Sequence, residues 1–338
     1  YLNCGSITLL YLFFYYRYLQ LNMIDFFCRV YASILDRNLF LKKIRFYSLL
    51  RVIVRVMGNI ILPVHFRLTA KNDSYKLPTS RKRSGQIIVS VTSFPGRIGR
   101  LWLTLESILR QKIKPDMLII WLSKEQFPTM EKLPSRLRHL QARGIIIRLV
   151  EKDFLSHKKY YYVLHEFPDD HLLTIDDDII YPSDFISSLI KGYKENPACV
   201  ISRYAFEMQY DSQGNLLPYL EWPMIRCGME RTNMAFLGTG GGALFPAHSL
   251  YADVLDIELA LSLCKYADDV WMNAMLRLND REVVVVNNLF SIFPIIYLKD
   301  FSLSSLNCRQ NMNDMQITAI REYYRKNLNK DPFAKVRV

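Results

Sequence analysis

Four short, largely unbroken apolar runs lie between residues 87 and 175, and stretches with helix-like apolar spacing separate them. Strands that are apolar on both faces are typical of a parallel sheet covered by helices on each side. The pattern therefore predicts an α/β fold with a doubly wound, mostly parallel sheet and helices on both faces. The predicted strands are Ile87–Val91, Met117–Leu122, Gly144–Val150 and His171–Ile175, and the predicted helices are Leu101–Gln111, Glu131–Ala142 and Lys158–Phe167.

The pattern continues beyond residue 180 with further apolar runs and helical spacing. It predicts strands at Ala198–Met208, Gly241–Phe245 and Glu282–Asn287, and helices at Pro182–Glu195, Ser249–Leu263 and Asp268–Leu278. A polar stretch rich in Pro, Ser and Gly before residue 87 is typical of a linker. We therefore expect a helical, basic and apolar leader over residues 1–68, a linker over 69–86, an α/β domain over 87–300 and a C-terminal helical extension over 301–338.

The net charge of +12 is concentrated in the leader and linker. Residues 1–85 carry 14 Lys and Arg against three Asp, whereas the rest of the chain is almost balanced. The first 66 residues also contain 14 Phe and Tyr. Basic, aromatic and apolar segments are attracted to anionic membrane surfaces, whereas a nucleic-acid site would place its cations on the folded domain. We expect a peripheral membrane protein that binds no nucleic acid; a helical hairpin packed on the body is the alternative.

The sequence of the leader does not clearly predict a membrane-spanning helix. Its longest uncharged stretch, Tyr1–Tyr16, is shorter than the ~18–20 residues that a spanning helix needs. The second apolar region, Leu39–Met57, is interrupted by five cations that spread over more than half of a helical wheel. The six cysteines form no C-x-x-C pair, which argues against a zinc ribbon or a thiol redox motif.

Three consecutive carboxylates, Asp176, Asp177 and Asp178, directly follow the fourth predicted strand. Ligands bind at the carboxyl ends of strands in open α/β sheets. Adjacent anions repel one another, and a hard cation with oxygen ligands, Mn²⁺ or Mg²⁺, would neutralise them and could hold a diphosphate. The alternative is a turn before the next helix, which Ser183 or Asp184 could also cap.

Other residues are weaker candidates for chemistry. Four glycines lie within residues 238–242, so this backbone could approach a ligand closely or form a simple loop. Trp222 could offer a platform for a sugar or lie buried, and His248 could be a further metal ligand or structural. Lys158 and Lys159 could contact phosphate or be solvated.

Several of these motifs, in this order, resemble GT-A fold nucleotide-sugar glycosyltransferases, particularly the large bacterial family-two-like group. The resemblance covers about residues 87–287. Residues 87–97 resemble that fold's first strand and nucleotide-binding turn, Asp176-x-Asp178 its D-x-D motif, and residues 156–160 a cationic donor contact. Asp268–Asp269 at a predicted helix start is similar to its Glu-Asp motif, whose second acid is the catalytic base of inverting members. Helix capping is the alternative role for this pair, and which carboxylate acts as the base stays open.

The resemblance implies an inverting, metal-dependent hexosyltransferase. It would move a hexose or N-acetylhexosamine from a nucleotide-diphosphate sugar to a glycan acceptor, plausibly lipid-linked, in surface polysaccharide biosynthesis. The expected place is the cytoplasmic face of a bacterial inner membrane. A sugar nucleotidyltransferase and a non-catalytic glycan-binding scaffold are the alternatives. The implied residues are, for catalysis, Asp269 and Asp268; for the donor, Thr92, Ser93, Phe94, Arg97, Lys158, Asp176 and Asp177; for Mn²⁺ or Mg²⁺, Asp178 and Asp176; and for the acceptor, Trp222, Gly240 and Gly241.

Overall fold

The computed structural model describes residues 22–34, 45–71, 75–78, 85–225, 229–286, 292–297 and 311–335. Tyr1–Tyr16, residues 39–44 of the second apolar region and most of the linker lie outside these ranges. Its helices are α1 (Met23–Ser33), α2 (Phe46–Thr69), α3 (Ile98–Leu109), α4 (Ser135–His139), α5 (Lys158–Glu166), α6 (Phe185–Glu195), α7 (Ile257–Cys264), α8 (Asp268–Leu278) and α9 (Met312–Leu328).

The strands form one large sheet and two short ribbons. They are β1 (Ile87–Thr92), β2 (Met117–Ser123), β3 (Ile146–Val150), β4 (His171–Thr174), β5 (Ile179–Ile180), β6 (Val200–Ser202), β7 (Ala205–Glu207), β8 (Met229–Thr232), β9 (Ala235–Leu237), β10 (Ala243–Phe245), β11 (Val283–Val285) and β12 (Phe293–Pro294).

The central sheet has the order β3-β2-β1-β4-β10-β6-β11-β8. The first four strands are mutually parallel, and β6 pairs in parallel with β11. Strand β10 runs antiparallel to both β4 and β6, and β8 runs antiparallel to β11. The prediction of an α/β fold with a mostly parallel sheet is confirmed.

Helices cover both faces of this sheet, as a doubly wound fold requires. Alternate residues of β1 enter different cores, because successive side chains of a strand point to opposite faces. Val89 and Val91 pack with α1, α2, α3, α4 and α6, whereas Ile88 packs with α5, α7, α8 and α9. Because α9 shares a core with α8, packing does not separate the predicted C-terminal extension from the domain.

Three predicted elements differ from the structure for local reasons. The helix expected over Glu131–Ala142 is broken around Pro134, which lacks an N–H and holds Leu133 extended, so that only α4 is α-helical. The strand expected over Ala198–Met208 is split into β6 and β7. The helix expected from Ser249 begins at Ile257, where the side chain of Asp256 accepts a hydrogen bond from Leu259 N.

The leader helices pack on the body of the protein. Helix α1 contacts α2, and Phe27 of α1 contacts Phe293 of β12 with ring centroids 5.8 Å apart. Leu62 and Phe66 of α2 enter the same core as α3. The packed hairpin, which the sequence left as one alternative, is therefore present in the described part of the leader.

Candidate functional site

The carboxylates after β4 do not share one environment. Parallel strands β1 and β4 end at the same edge of the sheet, which brings Ser93 beside Asp177. Ser93 Oγ donates to Asp177 Oδ2 at 2.6 Å, and Asp177 is buried. The neighbouring side chains of Asp176 and Asp178 are 41% and 31% exposed. Asp176 and Asp178 therefore face the edge, whereas Asp177, for which a donor contact is expected, is buried and hydrogen-bonded within the protein.

Arg97 partly neutralises this acidic cluster. Its Nη1 lies 2.9 Å from Asp177 Oδ1 and 2.9 Å from Asp178 Oδ2. Burial by itself would lower the pKa of Arg97, but the two carboxylates raise it above its ordinary value. Burial and the charge of Asp176 nevertheless raise the pKa of Asp178 to about 7, in spite of Arg97. Asp178 therefore lies where a further positive charge would be stabilising.

Lys159 is the cation that joins the two acidic motifs of this site. It is the second residue of α5 and is 3% exposed. Its Nζ lies 2.8 Å from Asp176 Oδ1 and 2.9 Å from Asp268 Oδ2. Burial would lower the pKa of Lys159, but Asp176 and Asp268 raise it well above its ordinary value. Lys159 is thus a charged, buried bridge between the end of β4 and the start of α8.

Its neighbour Lys158, the residue expected to contact the donor, points elsewhere. Lys158 is also buried and pairs with Asp153, in the segment that follows β3. Successive residues of a helix project about 100° apart, and here Lys158 points toward Asp153 whereas Lys159 points toward Asp176. Of the cations in residues 156–160, Lys159 therefore reaches the acidic motifs, whereas Lys158 pairs with Asp153; the predicted donor contact stays a prediction.

Asp268 and Asp269 begin α8 and have opposite electrostatic environments. Burial would raise the pKa of Asp268, but Lys159 and His157 lower it below its ordinary value. Burial and the charge of Asp268 raise the pKa of Asp269 to about 7. Asp268 also accepts a hydrogen bond from Thr239 Oγ1 at 2.8 Å. Asp268 is therefore held as an anion, whereas Asp269 can exchange a proton near neutral pH.

Helix capping does not explain this pair. The residue that caps α8 is Ala267, which makes no side-chain cap hydrogen bond, and both aspartates lie within the first turn. Asp269 Oδ1 accepts a hydrogen bond from Val270 N at 2.9 Å. A negative charge in the first turn is favourable beside the helix dipole, but it does not need two carboxylates.

The glycine-rich loop, residues 238–242, precedes β10 and borders the site. Tyr181 Oη accepts a hydrogen bond from Asp176 N at 2.9 Å and donates one to Gly240 O at 2.5 Å. A Cβ on Gly240 would lie only 1.8 Å from Asp176 Oδ2, and one on Gly241 would lie 2.1 Å from Tyr204 Cβ. The loop can approach Asp176 this closely because Gly240 lacks a side chain.

Other predicted residues lie at the edge of the site or outside it. Thr92 Oγ1 donates to Trp121 O, and the Phe94 ring packs under the Arg97 guanidinium. Trp222 is 4% exposed and donates from Nε1 to Leu217 O, so it belongs to a buried aromatic cluster and offers no open ring face to a sugar. His248 lies near the opposite edge of the sheet and pairs with Asp169, away from the carboxylates.

Asp176 and Asp178 could bind a divalent cation that a phosphate-bearing ligand also coordinates. In the described ranges, no group of three or more His, Cys, Asp or Glu side chains could enclose a metal ion. Asp176 and Asp178 are hard oxygen donors, and each gives one oxygen to Lys159 or Arg97. Mg²⁺ is commonly bound by one or two carboxylates together with substrate phosphates and water. The pair therefore fits such a cation, but not a closed protein cage.

Sequence reasoning missed three polar contributors to the site. Tyr181 and Thr239 connect Asp176, the glycine loop and α8, and Tyr297 Oη donates to Asp177 O at 3.1 Å. Tyr181 and Thr239 each lie next to a motif that the sequence singled out, and this adjacency was the available signal. No such signal exists for Tyr297, because it follows β12 in the chain and only the tertiary fold brings it next to Asp177.

Comparisons with known proteins concern the fold. No family model matches the sequence, and no curated protein is similar enough to match. A solved mannosyltransferase, PcManGT from Pyrobaculum calidifontis in complex with GDP-Man and Mn²⁺, is 14% identical over 83% of this chain and 77% of its own, with a TM-score of 0.44.

Two further solved structures are similar at a comparable level. TarS of S. aureus, in complex with UDP, is 11% identical over 72% of each chain, with a TM-score of 0.42. A CMP:2-keto-3-deoxy-manno-octonic acid synthetase complexed with CTP is 10% identical over 69% of this chain and 99% of its own, with a TM-score of 0.37.

Proposed function

We propose that this chain is a metal-dependent glycosyltransferase that uses a nucleotide-diphosphate sugar as its donor. The observation that carries the proposal is the buried bridge from Asp176 through Lys159 to Asp268. It joins a pair of outward carboxylates after β4 to the start of α8, where the pKa of Asp269, the neighbour of Asp268, is raised to about 7. A metal site and a general base at one sheet edge are what transfer from a diphosphate donor requires.

Asp178 and Asp176 are the residues that would hold Mn²⁺ or Mg²⁺ against the donor diphosphate. When bound, the cation would neutralise charge that develops on the departing diphosphate. The raised pKa of Asp178 supports this assignment, because burial and crowding with Asp176 make its charged form unfavourable without a further cation. Arg97 and Lys159 keep the remaining oxygens of the two carboxylates oriented.

Asp269 is the proposed general base. A base that works near neutral pH needs a pKa near 7, and burial together with the fixed charge of Asp268 raises the pKa of Asp269 to about 7. Asp269 would take the proton of the acceptor hydroxyl as the new glycosidic bond forms. Asp268 keeps its charge because Lys159 compensates for it. The proposed role of Asp268 is therefore to position Lys159 and to raise the pKa of Asp269.

The finer assignment follows the sequence resemblance. The donor sugar would be a hexose or an N-acetylhexosamine, the reaction would invert configuration, and the acceptor would be a glycan in surface polysaccharide biosynthesis. The basic, apolar leader supports a lipid-linked acceptor at a membrane, and the proposed location is peripheral on the cytoplasmic face of a bacterial inner membrane.

The test is to incubate the purified full chain with a panel of nucleotide sugars and Mn²⁺, and to measure the release of nucleoside diphosphate. We expect one donor to be turned over, and Asp178→Asn to abolish this turnover while the chain stays folded. Release of pyrophosphate from a nucleoside triphosphate and a sugar phosphate would instead identify a nucleotidyltransferase. A folded chain that binds glycan but no nucleotide would identify the non-catalytic scaffold.

A further inference from the structure

Helix α2 presents an exposed apolar face along its whole length. Eight side chains cover roughly 160° of its circumference, counted at 100° per residue. Their exposures include 59% for Leu49, 63% for Ile60 and 79% for Leu68. In the described ranges, α2 is the one helix long and apolar enough to cross a membrane. The residues of this face, called the α2 face below, are Leu49, Val52, Ile53, Val56, Met57, Ile60, Val64 and Leu68.

The opposite side of α2 is fixed to the body of the protein. Asn59 donates from Nδ2 to Pro294 O at 3.1 Å and accepts from Ile296 N at 2.9 Å. Gly58 lies so close to β12 that a Cβ there would be 2.4 Å from the Phe293 ring. These contacts, together with the burial of Leu62 and Phe66, fix this side of α2 to the body, so lipid does not surround the helix on all sides.

Two arginines that interrupt the apolar pattern in the sequence turn toward the protein. Arg51 donates to Ile34 O at 3.0 Å, and Arg55 donates to Ile295 O at 3.1 Å. At 100° per residue they lie about 200° and 240° from Leu49, on the side opposite to the α2 face, which carries no charge between Leu49 and Val64. The helical wheel of Leu39–Met57 is less regular because it also includes Lys42, Lys43 and Arg45, which precede α2.

Cations lie at both ends of the α2 face. Arg45 precedes the helix, and Arg67 and Lys71 follow its apolar stretch, all three on the exposed side. Arg67 and Arg136 lie over the ring of Trp102, at 5.9 Å and 4.5 Å from its centroid, which extends the positive charge onto α4. Residues 45–71 contain no Asp or Glu.

We propose that α2 lies flat in the surface of an anionic bilayer, with the α2 face among the acyl chains and these cations on the headgroups. An apolar face flanked by cations is what binds such a surface. A second copy is a poorer occupant, because a two-fold axis across α2 would bring the cations of one copy against those of the other in either direction. This proposal rests on the peripheral membrane location within the proposed function, but it uses no residue of the candidate site, so that vesicle binding and sugar transfer can fail independently.

The test is cosedimentation of the full chain with vesicles of phosphatidylcholine alone or with phosphatidylglycerol added. We expect binding to the mixed vesicles that weakens in high salt. The triple variant Ile53→Gln/Ile60→Gln/Val64→Gln should bind on the order of tenfold more weakly or worse, because three buried apolar side chains are lost. Arg67→Gln/Lys71→Gln should lose the preference for phosphatidylglycerol but keep some binding.

Matched controls change equally exposed residues elsewhere. Leu220→Gln/Met315→Gln removes two apolar side chains that are 65% and 62% exposed outside α2, and Lys191→Gln/Lys326→Gln removes two exposed cations. Both controls should bind vesicles like the parent chain, and thermal unfolding should show that all variants are folded.

Four outcomes would overturn the proposal. Unchanged vesicle binding by the triple variant would mean that the α2 face is not the contact. Failure of the parent chain to bind, followed by binding after deletion of residues 1–21, would mean that this segment covers the face. A dimer that the triple variant abolishes would identify a second copy as the occupant. Resistance to extraction by alkaline carbonate would mean that α2 spans the bilayer.

Discussion

The ammonium group of Lys159 lies 2.9 Å from Asp268 Oδ2, although one residue is near the start of α5 and the other begins α8. On its other side the same group meets Asp176, so a single buried cation holds the two acidic motifs together. Removing one partner of a buried ion pair is costly, because the remaining charge has no water to solvate it. This relationship makes Lys159 the residue on which the geometry of the site depends.

Lys159→Met should therefore lower the free energy of unfolding by about 3–5 kcal/mol, as the loss of a buried ion partner does, and should abolish transfer. Chemical denaturation measures the first effect. The double variant Lys159→Met/Asp268→Asn should recover part of the stability, because it leaves one buried anion fewer.

Its sequence neighbour provides the control. Lys158→Met breaks the buried pair with Asp153, which lies outside the acidic cluster. It should lower stability but leave the concentration of Mn²⁺ needed for half-maximal activity unchanged. If the two single variants behave alike, Lys159 does no more than stabilise the fold.

Asp178→Asn should abolish transfer with little change in thermal unfolding, because the variant removes a half-exposed carboxylate that a cation would need. EDTA should reproduce the loss in the parent chain, and added Mn²⁺ should restore it. Asp169→Asn is the control, since that carboxylate is 75% exposed near the other edge of the sheet. Full activity in EDTA would exclude the proposed role of the metal.

Asp269→Asn should lower kcat by roughly two to four orders of magnitude, the usual contribution of a general base, and leave donor binding nearly unchanged. A base acts only when it is deprotonated. With the pKa of Asp269 raised to about 7, kcat/KM of the parent should rise with pH through about 7 and then level off. The variant should lack this rise. If Asp268→Asn removes turnover and Asp269→Asn does not, the two roles are exchanged.

Gly240→Ala should weaken metal-dependent activity, because its Cβ would lie 1.8 Å from Asp176 Oδ2 and the carboxylate would have to move away from Lys159. The expected result is a higher Mn²⁺ requirement in a chain that remains folded. Gly99→Ala in α3 is the matched control, since a Cβ there meets nothing within 4 Å. It should be neutral or stabilise the helix by up to about 1 kcal/mol. An unchanged Mn²⁺ requirement in Gly240→Ala would contradict the assignment of Asp176.

Stability should depend on pH through the crowded carboxylates. The pKa of Asp269 is about 7 in the folded chain, above the ~3.9 of an unfolded aspartate, so the folded state binds more protons between these values. The stabilising contribution is complete below about pH 4 and is lost as the pH rises past about 7. Asp269→Asn should therefore melt at a higher temperature than the parent at pH 8, and the difference should shrink at pH 5. Equal melting temperatures of the parent and Asp269→Asn at pH 8 would show that the charged form of Asp269 does not destabilise the folded chain.

The strands that position the site were predictable from local pattern alone. Ile87–Val91 and Met117–Leu122 are apolar without alternation because both of their faces are covered, and the structure extends each by only one residue. Errors arose where another interaction opposed the apolar pattern. Pro134 broke a predicted helix in this way, and the chain between β6 and β7 bends where Arg203 N donates to Gly242 O.

The sequence by itself determined the α/β architecture, the position of Asp176–Asp178 at the end of β4 and the concentration of positive charge before residue 86. These follow from periodicity and composition, which are local properties of the chain. Only the tertiary structure decided which of several adjacent like residues does what: Lys159 and not Lys158 bridges the acids, and Asp177 turns inward. The physical reason is that neighbouring side chains project in different directions, and partners distant in sequence determine which direction finds a compensating charge or hydrogen bond.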